Sequence, residues 1–316
     1  MSEFYHWLEW SCLFPAIIQA MKRLNFLPLL VTISLMVLIG GCGPLGPNES
    51  GTPVESIDIK GSDTMVNLAL AWAEAYQNDH PEVELAVTGG GSGTGIAALI
   101  NNSVDIANAS RRIKPEEIAD AKSKGVTPVE FIVAGDAIGI IVHPSNPVSE
   151  LTLQQLSDIY SGKIINWKEL GGEDRPIVRL SRESNSGTHV YFLEEVVRLG
   201  DKNKKTLFSA TTLLLPSSEV IVNEVRQNPN AIGYDGLGYI PEDLKIIAVS
   251  EKQGDPYVLP SIATVNDKSY PIARDLYIYT PGEPAGAVKA YIEWLLGAEA
   301  QAIVAEQGFV PIRFTP

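Results

Sequence analysis

The chain has 316 residues, 45% of them hydrophobic and 20% charged, with 27 glycines and 21 prolines, enough for two lobes with separate cores. Its net charge of −14 and pI near 4.8 argue against nucleic acid or an anionic membrane surface as a partner, because both are bound by clustered Lys and Arg. Cys12 and Cys42 are the only cysteines, and His6, His80, His143 and His189 are scattered, so neither disulfide scaffolding nor a metal or other cofactor is expected.

Residues 1–20 carry Glu3 and Glu9, lack a basic start and read as a mis-start extension; Met21 is the better initiator. From there Met21-Lys22-Arg23, the apolar run Phe26 to Ile39 and Gly40-Gly41 make an export signal over 21–41. The run is shorter than the roughly 20 residues that span a bilayer. Ile39-Gly40-Gly41-Cys42 resembles a lipobox, which implies lipidation at Cys42, with a plain cleaved signal as the alternative. Removing 1–41 deletes two acidic and two basic residues, so the mature charge stays at −14. Residues 42–54 are a Gly/Pro/Ser-rich tether, suited to holding a globular body a short way off a membrane.

The body repeats one device, a strand, a Gly/Ser/Thr-rich turn and a helix. Ile57 to Lys60 is followed by Gly61-Ser62-Asp63-Thr64 and a helix from Met65 to Tyr76, with Val66, Ala69, Leu70 and Ala73 on one face. Val83 to Val87 leads through the glycine-rich loop 89–95 to a helix opening at Ile96, and Asp105-Ile106-Ala107 leads through Asn108 to Arg111 to a helix begun by Pro115. Such alternation predicts a parallel sheet with ligands outside the carboxyl ends of its strands. The loop 89–95 fits neither G-x-G-x-x-G nor G-x-x-x-x-G-K-[ST], so it is not a nucleotide site; amide donors plus the Ser92 hydroxyl suit a small oxyanion.

From Val129 to Val142 runs a long apolar strand that can begin in one lobe and end in the other. Beyond it come a helix over Leu153–Tyr160, a strand over Ile177–Ser181, and strands at Ala231–Tyr234 and Leu244–Val249. Leu276–Tyr279 is a second crossing strand, and Ala287–Gly297 a helix with Val288, Tyr291, Ile292 and Leu295 on one face. The reading is α/β: two lobes and a hinge of two crossing strands, lobe I from 55–137 and 275–316, lobe II from 138–274.

Arg182-Glu183-Ser184-Asn185-Ser186-Gly187-Thr188 is the most informative turn. It joins a strand to a helix whose expected apolar face is Val190, Leu193 and Val197, with Phe192 and Val196 beside it, ending at Gly200. Free amides at a helix start favour negative charge, Gly187 permits close approach, Ser186 and Thr188 add hydroxyls, and Arg182 offers a planar fork for two oxyanion oxygens. An ordinary helix cap beside a surface arginine is the bland alternative.

Taken in order, Gly61-Ser62-Asp63-Thr64, the loop 89–95, Ala109-Ser110-Arg111, Arg182-x-x-x-Ser186-Gly187-Thr188 and Ala231-Ile232-Gly233-Tyr234 with Gly238-Tyr239 resemble the PstS-like phosphate-binding components of ABC importers. The likeness runs from about Ile57 to Pro311. It implies a hinge-closing type II periplasmic-binding-protein fold, a monomer, lipid-anchored or periplasmic, that hands inorganic phosphate to membrane permease subunits. Carried over by position, Thr64, the Met65 amide and Ser92 would bind from lobe I, and Arg182, Ser186, the Gly187 amide and Thr188 from lobe II; Ser62, Asp63 and Gly93, in the same turns, are further ligand candidates. Several members place an Asp after Ala-Ser, where this chain has Arg111. A buried carboxylate accepts the proton that phosphate keeps near neutral pH and repels sulfate, which has none. Asp63 is the substitute acceptor or a helix cap, and Arg111 a second anion clamp or a surface residue paired with a carboxylate. Alternatives to phosphate capture are a receptor for another tetrahedral oxyanion, a phosphoester hydrolase using Ser186 and His189, and a sensing or adhesive surface lipoprotein. Nothing in the chain orients His189 as a third catalytic member would, so an enzyme is not expected; His189 is placed near the rim of the cleft.

Overall fold

The computed structural model describes residues 54–312. The export signal, Cys42 and nearly all of the tether lie outside the described residues. The chain begins with β1 (Glu55–Gly61), α1 (Val66–Asp79), β2 (Val83–Thr88), α2 (Ser92–Ile100), β3 (Ile106–Ala109) and α3 (Pro115–Ser123). β1 pairs in parallel with β2 on one side and β3 on the other, as βα units require. One face of this sheet is covered by α1, whose buried residues are Leu68, Ala69, Trp72, Ala73 and Tyr76. Leu70, expected on that face, is 49% exposed. Leu68, Trp72 and Tyr76 repeat at i, i+4, i+8, and burying these larger side chains rotates the helix away from the Val66–Leu70 edge. α2 starts at Ser92 rather than Ile96, so the last glycines of the loop form its first turn.

β4 (Val129–Val142), 14 residues long, then serves both halves. Val133 and Ala134 lie in one core with Ile57, Trp72 and Leu276, whereas Ala137, Ile138 and Ile140 lie in another with Tyr160, Trp167 and Tyr234. The second half follows with β5 (Glu150–Thr152), α4 (Leu153–Tyr160), β6 (Val178–Arg182), α5 (Gly187–Phe192), β7 (Leu213–Leu215), α6 (Ser218–Gln227), β8 (Ala231–Gly236), β9 (Lys245–Ser250) and α7 (Ile262–Asn266). The chain recrosses on β10 (Ala273–Thr280) and ends with α8 (Gly286–Leu295) and α9 (Ala298–Glu306), which pack on the first core through Tyr291, Leu295 and Val304. A bond from Trp72 Nε1 to the Ala300 carbonyl, 2.9 Å, ties α1 to α9.

The sheet is mixed, not parallel throughout. Its order is β2-β1-β3-β10-β4-β8-β6-β7, with β9 on β4 and β5 on β9. β10 is antiparallel to β3 and β4, and β4 to β8 and β9, because the chain crosses between the halves once in each direction. α5 passes directly into a π-type turn over Leu193–Val197. One extra residue per turn shifts the helix face, so Phe192, Val196 and Val197 are buried while Val190 and Leu193 are only half-buried.

Candidate functional site

The βα turns meet where the two halves face each other. The Ser62 amide donates to Asn108 O, 2.9 Å, and Gly91 N to Gly61 O, 2.9 Å, so the turns after β1, β2 and β3 hold one another. Asp63 Oδ1 accepts from Gly90 N at 2.9 Å. Ser92 Oγ accepts from the Ser110 amide at 3.0 Å and lies 3.2 Å from Ser110 Oγ. From the other half, Ser186 caps α5 by accepting the His189 amide.

Donors from both halves then converge. The hydroxyls of Thr64 and Thr188 are 2.8 Å apart, and both residues are buried. A carbon placed on Gly187 would fall 2.3 Å from Ser92 Oγ and 2.6 Å from Ser110 Oγ, so the second half sits directly against the first here. Arg182 is 1% exposed; its Nη2 bonds Asp63 Oδ2 across the cleft at 2.6 Å and Pro216 O at 2.9 Å, and Nη1 bonds Ser218 Oγ at 3.0 Å. Arg182 Nε and Ser62 Oγ are buried polar atoms without a partner. Ser62, Asp63, Thr64, Ser92, Arg182, Ser186, Gly187 and Thr188 thus line one interface.

Three expected contributors are engaged elsewhere. The Met65 amide donates to Ser62 O at 3.0 Å, closing the turn before α1, and its side chain is core. Gly93 N donates to Asn185 O at 2.9 Å, while Asn185 Nδ2 reaches Gly90 O at 2.9 Å and Thr94 Oγ1 at 3.3 Å, so these atoms latch the halves together. Arg111 is buried and forked onto Glu117 at 2.8 and 2.7 Å. Glu117 also accepts the Lys114 amide at 2.8 Å. Burial would raise the Glu117 pKa, but these bonds outweigh it and hold the group below the usual carboxylate range. The arginine is therefore a structural fork at the start of α3; it has the carboxylate partner of the second expectation, but it is buried rather than on the surface, because the fork and the Lys114 amide together satisfy Glu117.

His189 is buried, not at a rim. Its Nδ1 pairs with Ser181 Oγ at 3.0 Å and its ring packs on Phe208, centroids 4.6 Å apart. Burial lowers its pKa, and its ring nitrogen is bonded to Ser181 rather than Ser186. That geometry does not make a nucleophile and base of Ser186 and His189. Among the described residues no His/Cys/Asp/Glu group is arranged to hold a metal ion.

The sequence reading missed several buried residues of this site. Asp136 of β4 and Arg274 of β10 pair at 2.8 Å, 0% and 2% exposed at their side chains. Arg274 Nη2 also lies 3.1 Å from Thr188 Oγ1 and 3.5 Å from Thr64 Oγ1. Burial raises the Asp136 pKa, opposed by Arg274. Asp235 of β8 is fully buried, accepts from Ser218 Oγ at 2.9 Å and Gly236 N at 2.8 Å, and leaves Oδ2 without a partner. Burial, opposed by Arg182, pushes its pKa up to about 6. Asp136 carried a legible signal, the one charge between Phe131 and Val142, since a buried charge demands a partner. The open cleft of about 420 Å³ beside Asp63, Ser218 and Tyr239 flanks this cluster rather than coinciding with it. The chemistry belongs to the cluster, where buried donors from both halves meet.

A two-part α/β body with amide, hydroxyl and guanidinium donors across its cleft defines the binding-protein class, and residues 46–299 match the PBP superfamily domain. The phosphate-binding protein PstS of Pseudomonas aeruginosa is 32% identical over 269 residues, 80% of this chain and 81% of that protein. PstS of Bacillus subtilis is 30% identical over 302 residues, 92% and 95%. A crystal structure of a putative phosphate ABC transporter substrate-binding protein with bound phosphate, from Clostridium perfringens, superposes with a TM-score of 0.73 at 34% identity, covering 82% of this chain and all of that one. The chain belongs to the PstS phosphate-binding protein family.

Proposed function

We propose that this protein is an extracytoplasmic receptor that captures inorganic phosphate between its halves and delivers it to the permease of an ABC importer. It is a binding protein, not an enzyme. The observation that carries the reading is the meeting of Thr64 and Thr188 hydroxyls from opposite halves, 2.8 Å apart, with the buried Arg182 bonded across the cleft to the adjoining Asp63. In the proposed site the hydroxyls of Ser62, Thr64, Ser92, Ser186 and Thr188, the Gly187 amide and Arg182 Nε donate to the oxygens of one tetrahedral ion. Asp63 holds Arg182 and so couples closure to the clamp. Hydrogen bonds to a buried oxyanion are charge-assisted and strong, and a closed cleft removes competing water. Lobe I is assigned 55–137 and 275–316, and lobe II 138–274; in support, the core membership of β4 changes close to that bound, with Ala134 in the first core and Ala137 already in the second.

Titration calorimetry of inorganic phosphate into the purified protein tests this. Tight uptake is expected, and Arg182→Ala should weaken it by about 2–5 kcal/mol, since Asp63 is left unpaired. No heat with phosphate, together with binding of a different anion, would sink the substrate assignment. For the membrane, the lipobox-like 39–42 supports anchoring through a lipid on Cys42, on either the periplasmic or the outer surface. A Cys42→Ala chain should then leave the membrane fraction; unchanged partition would refute the anchor.

A further inference from the structure

We infer that Arg274, carried by the crossing strand β10, is a second anion-binding residue of this pocket, positioned by Asp136 of the other crossing strand. The inference rests on the phosphate reading and adds a ligand to it. Asp136 and Arg274 are register partners in the β4–β10 ladder, so the pair sits on the hinge itself. Asp136 Oδ2 accepts from Arg274 Nε at 3.0 Å and Nη2 at 2.8 Å, and Ser110 O accepts from Nη1 at 2.9 Å. The guanidinium also lies over the Tyr191 ring, 5.6 Å from its centroid. These contacts fix the plane of the fork and direct its remaining Nη2 hydrogen at the Thr188 hydroxyl, 3.1 Å away, with Thr64 at 3.5 Å. Those are the hydroxyls of opposite halves that close on the ligand.

Two arguments separate this from a hinge pair with a purely structural role. First, a buried ion pair is a poor source of stability, because desolvation consumes most of the attraction. Its place against the ligand hydroxyls therefore calls for another reason. Second, the local charges require it. Arg182 is already matched by Asp63 and adjoins Asp235 through Ser218, so an anion placed there without Arg274 would meet one guanidinium against Asp63, Asp235 and an Asp136 left without its partner. Both guanidiniums lie close enough to Asp235 to lower its pKa against the rise caused by burial. A hydroxyl that accepts from Arg274 is also polarised to donate its own proton onward.

The test compares Arg274→Lys and the neutral double variant Asp136→Asn/Arg274→Gln with the parent, by phosphate calorimetry and thermal melting. The double variant leaves no unpaired buried charge, so it should keep its melting temperature and lose about a hundredfold in phosphate affinity. Arg274→Lys keeps the charge but not the fork and should lose about tenfold or more. A folded double variant that binds within about threefold of the parent overturns the inference, and if that variant fails to fold, Arg274→Lys decides by the same criterion. A parent that does not bind phosphate at all would refute the functional reading instead.

Discussion

Gly187→Ala separates binding from folding more sharply than any other single change. Gly187 is the first residue of α5, and its φ lies outside the left-handed region, so alanine imposes no backbone strain. The added carbon would stand 2.3 Å from Ser92 Oγ, 2.6 Å from Ser110 Oγ and 3.0 Å from Ser92 Cβ, all in the opposite half. Ser92 Oγ cannot swing aside freely, since it accepts the Ser110 amide at 3.0 Å. The halves must instead part by about 1 Å at this point to restore ordinary contact. A shift of that size lengthens the bonds Thr64–Thr188, Arg182–Asp63 and Gly93–Asn185, now 2.8, 2.6 and 2.9 Å.

Overpacking of this kind costs about 1–3 kcal/mol, and each weakened hydrogen bond adds about 0.5–1.5 kcal/mol. Partial relaxation brings the sum to roughly 3 kcal/mol, or about a hundredfold in phosphate affinity. Against this, alanine is a better helix former than glycine by up to about 1 kcal/mol and restricts the unfolded chain. Each half keeps its own core, so the melting temperature without phosphate should hold or rise slightly. Calorimetry and melting curves with and without phosphate read both effects. Affinity within about threefold of the parent would refute the close-approach argument, and a melting temperature several degrees lower without phosphate would show that the halves form one rigid body.

Two further variants test the electrostatics. Asp235 ionises near 6 in the fold because it is fully buried, and near the ordinary carboxylate value when unfolded. Between those values the folded chain holds the proton more tightly, so its contribution to stability falls as pH rises through about 4 to 6 and is flat above. Asp235→Asn removes that slope, and the variant should gain about 3 kcal/mol on the parent between pH 4 and pH 7 in urea unfolding; a difference that does not move with pH would refute it. Glu117→Gln strips the buried Arg111 fork of its charge partner. It should cost about 2–3 kcal/mol of stability, less than a fully buried pair because Glu117 is 22% exposed, and leave phosphate affinity within about threefold. Lost affinity with unchanged stability would return Arg111 to the anion site.

What could be read from the chain was local. Strand, turn and helix lie within a dozen residues around Ser186-Gly187-Thr188, so their hydroxyls, amides and capping geometry follow from residue order alone. The long, mostly apolar stretch of β4 also showed that one strand can serve both cores. What could not be read was pairing over distance. Asp136 stood out as a charge in an apolar strand, but its partner Arg274 lies 138 residues away and becomes its neighbour only through the β4–β10 register. Arg111 and Arg182 look alike as arginines in βα turns, yet one is forked onto Glu117 six residues on and the other is held by a single Nη2 bond to Asp63 across the cleft. Residue type sets what a turn can bind. Where each carboxylate folds decides whether an arginine ties down its own half, as Arg111 does, or spans the cleft, as Arg182 does.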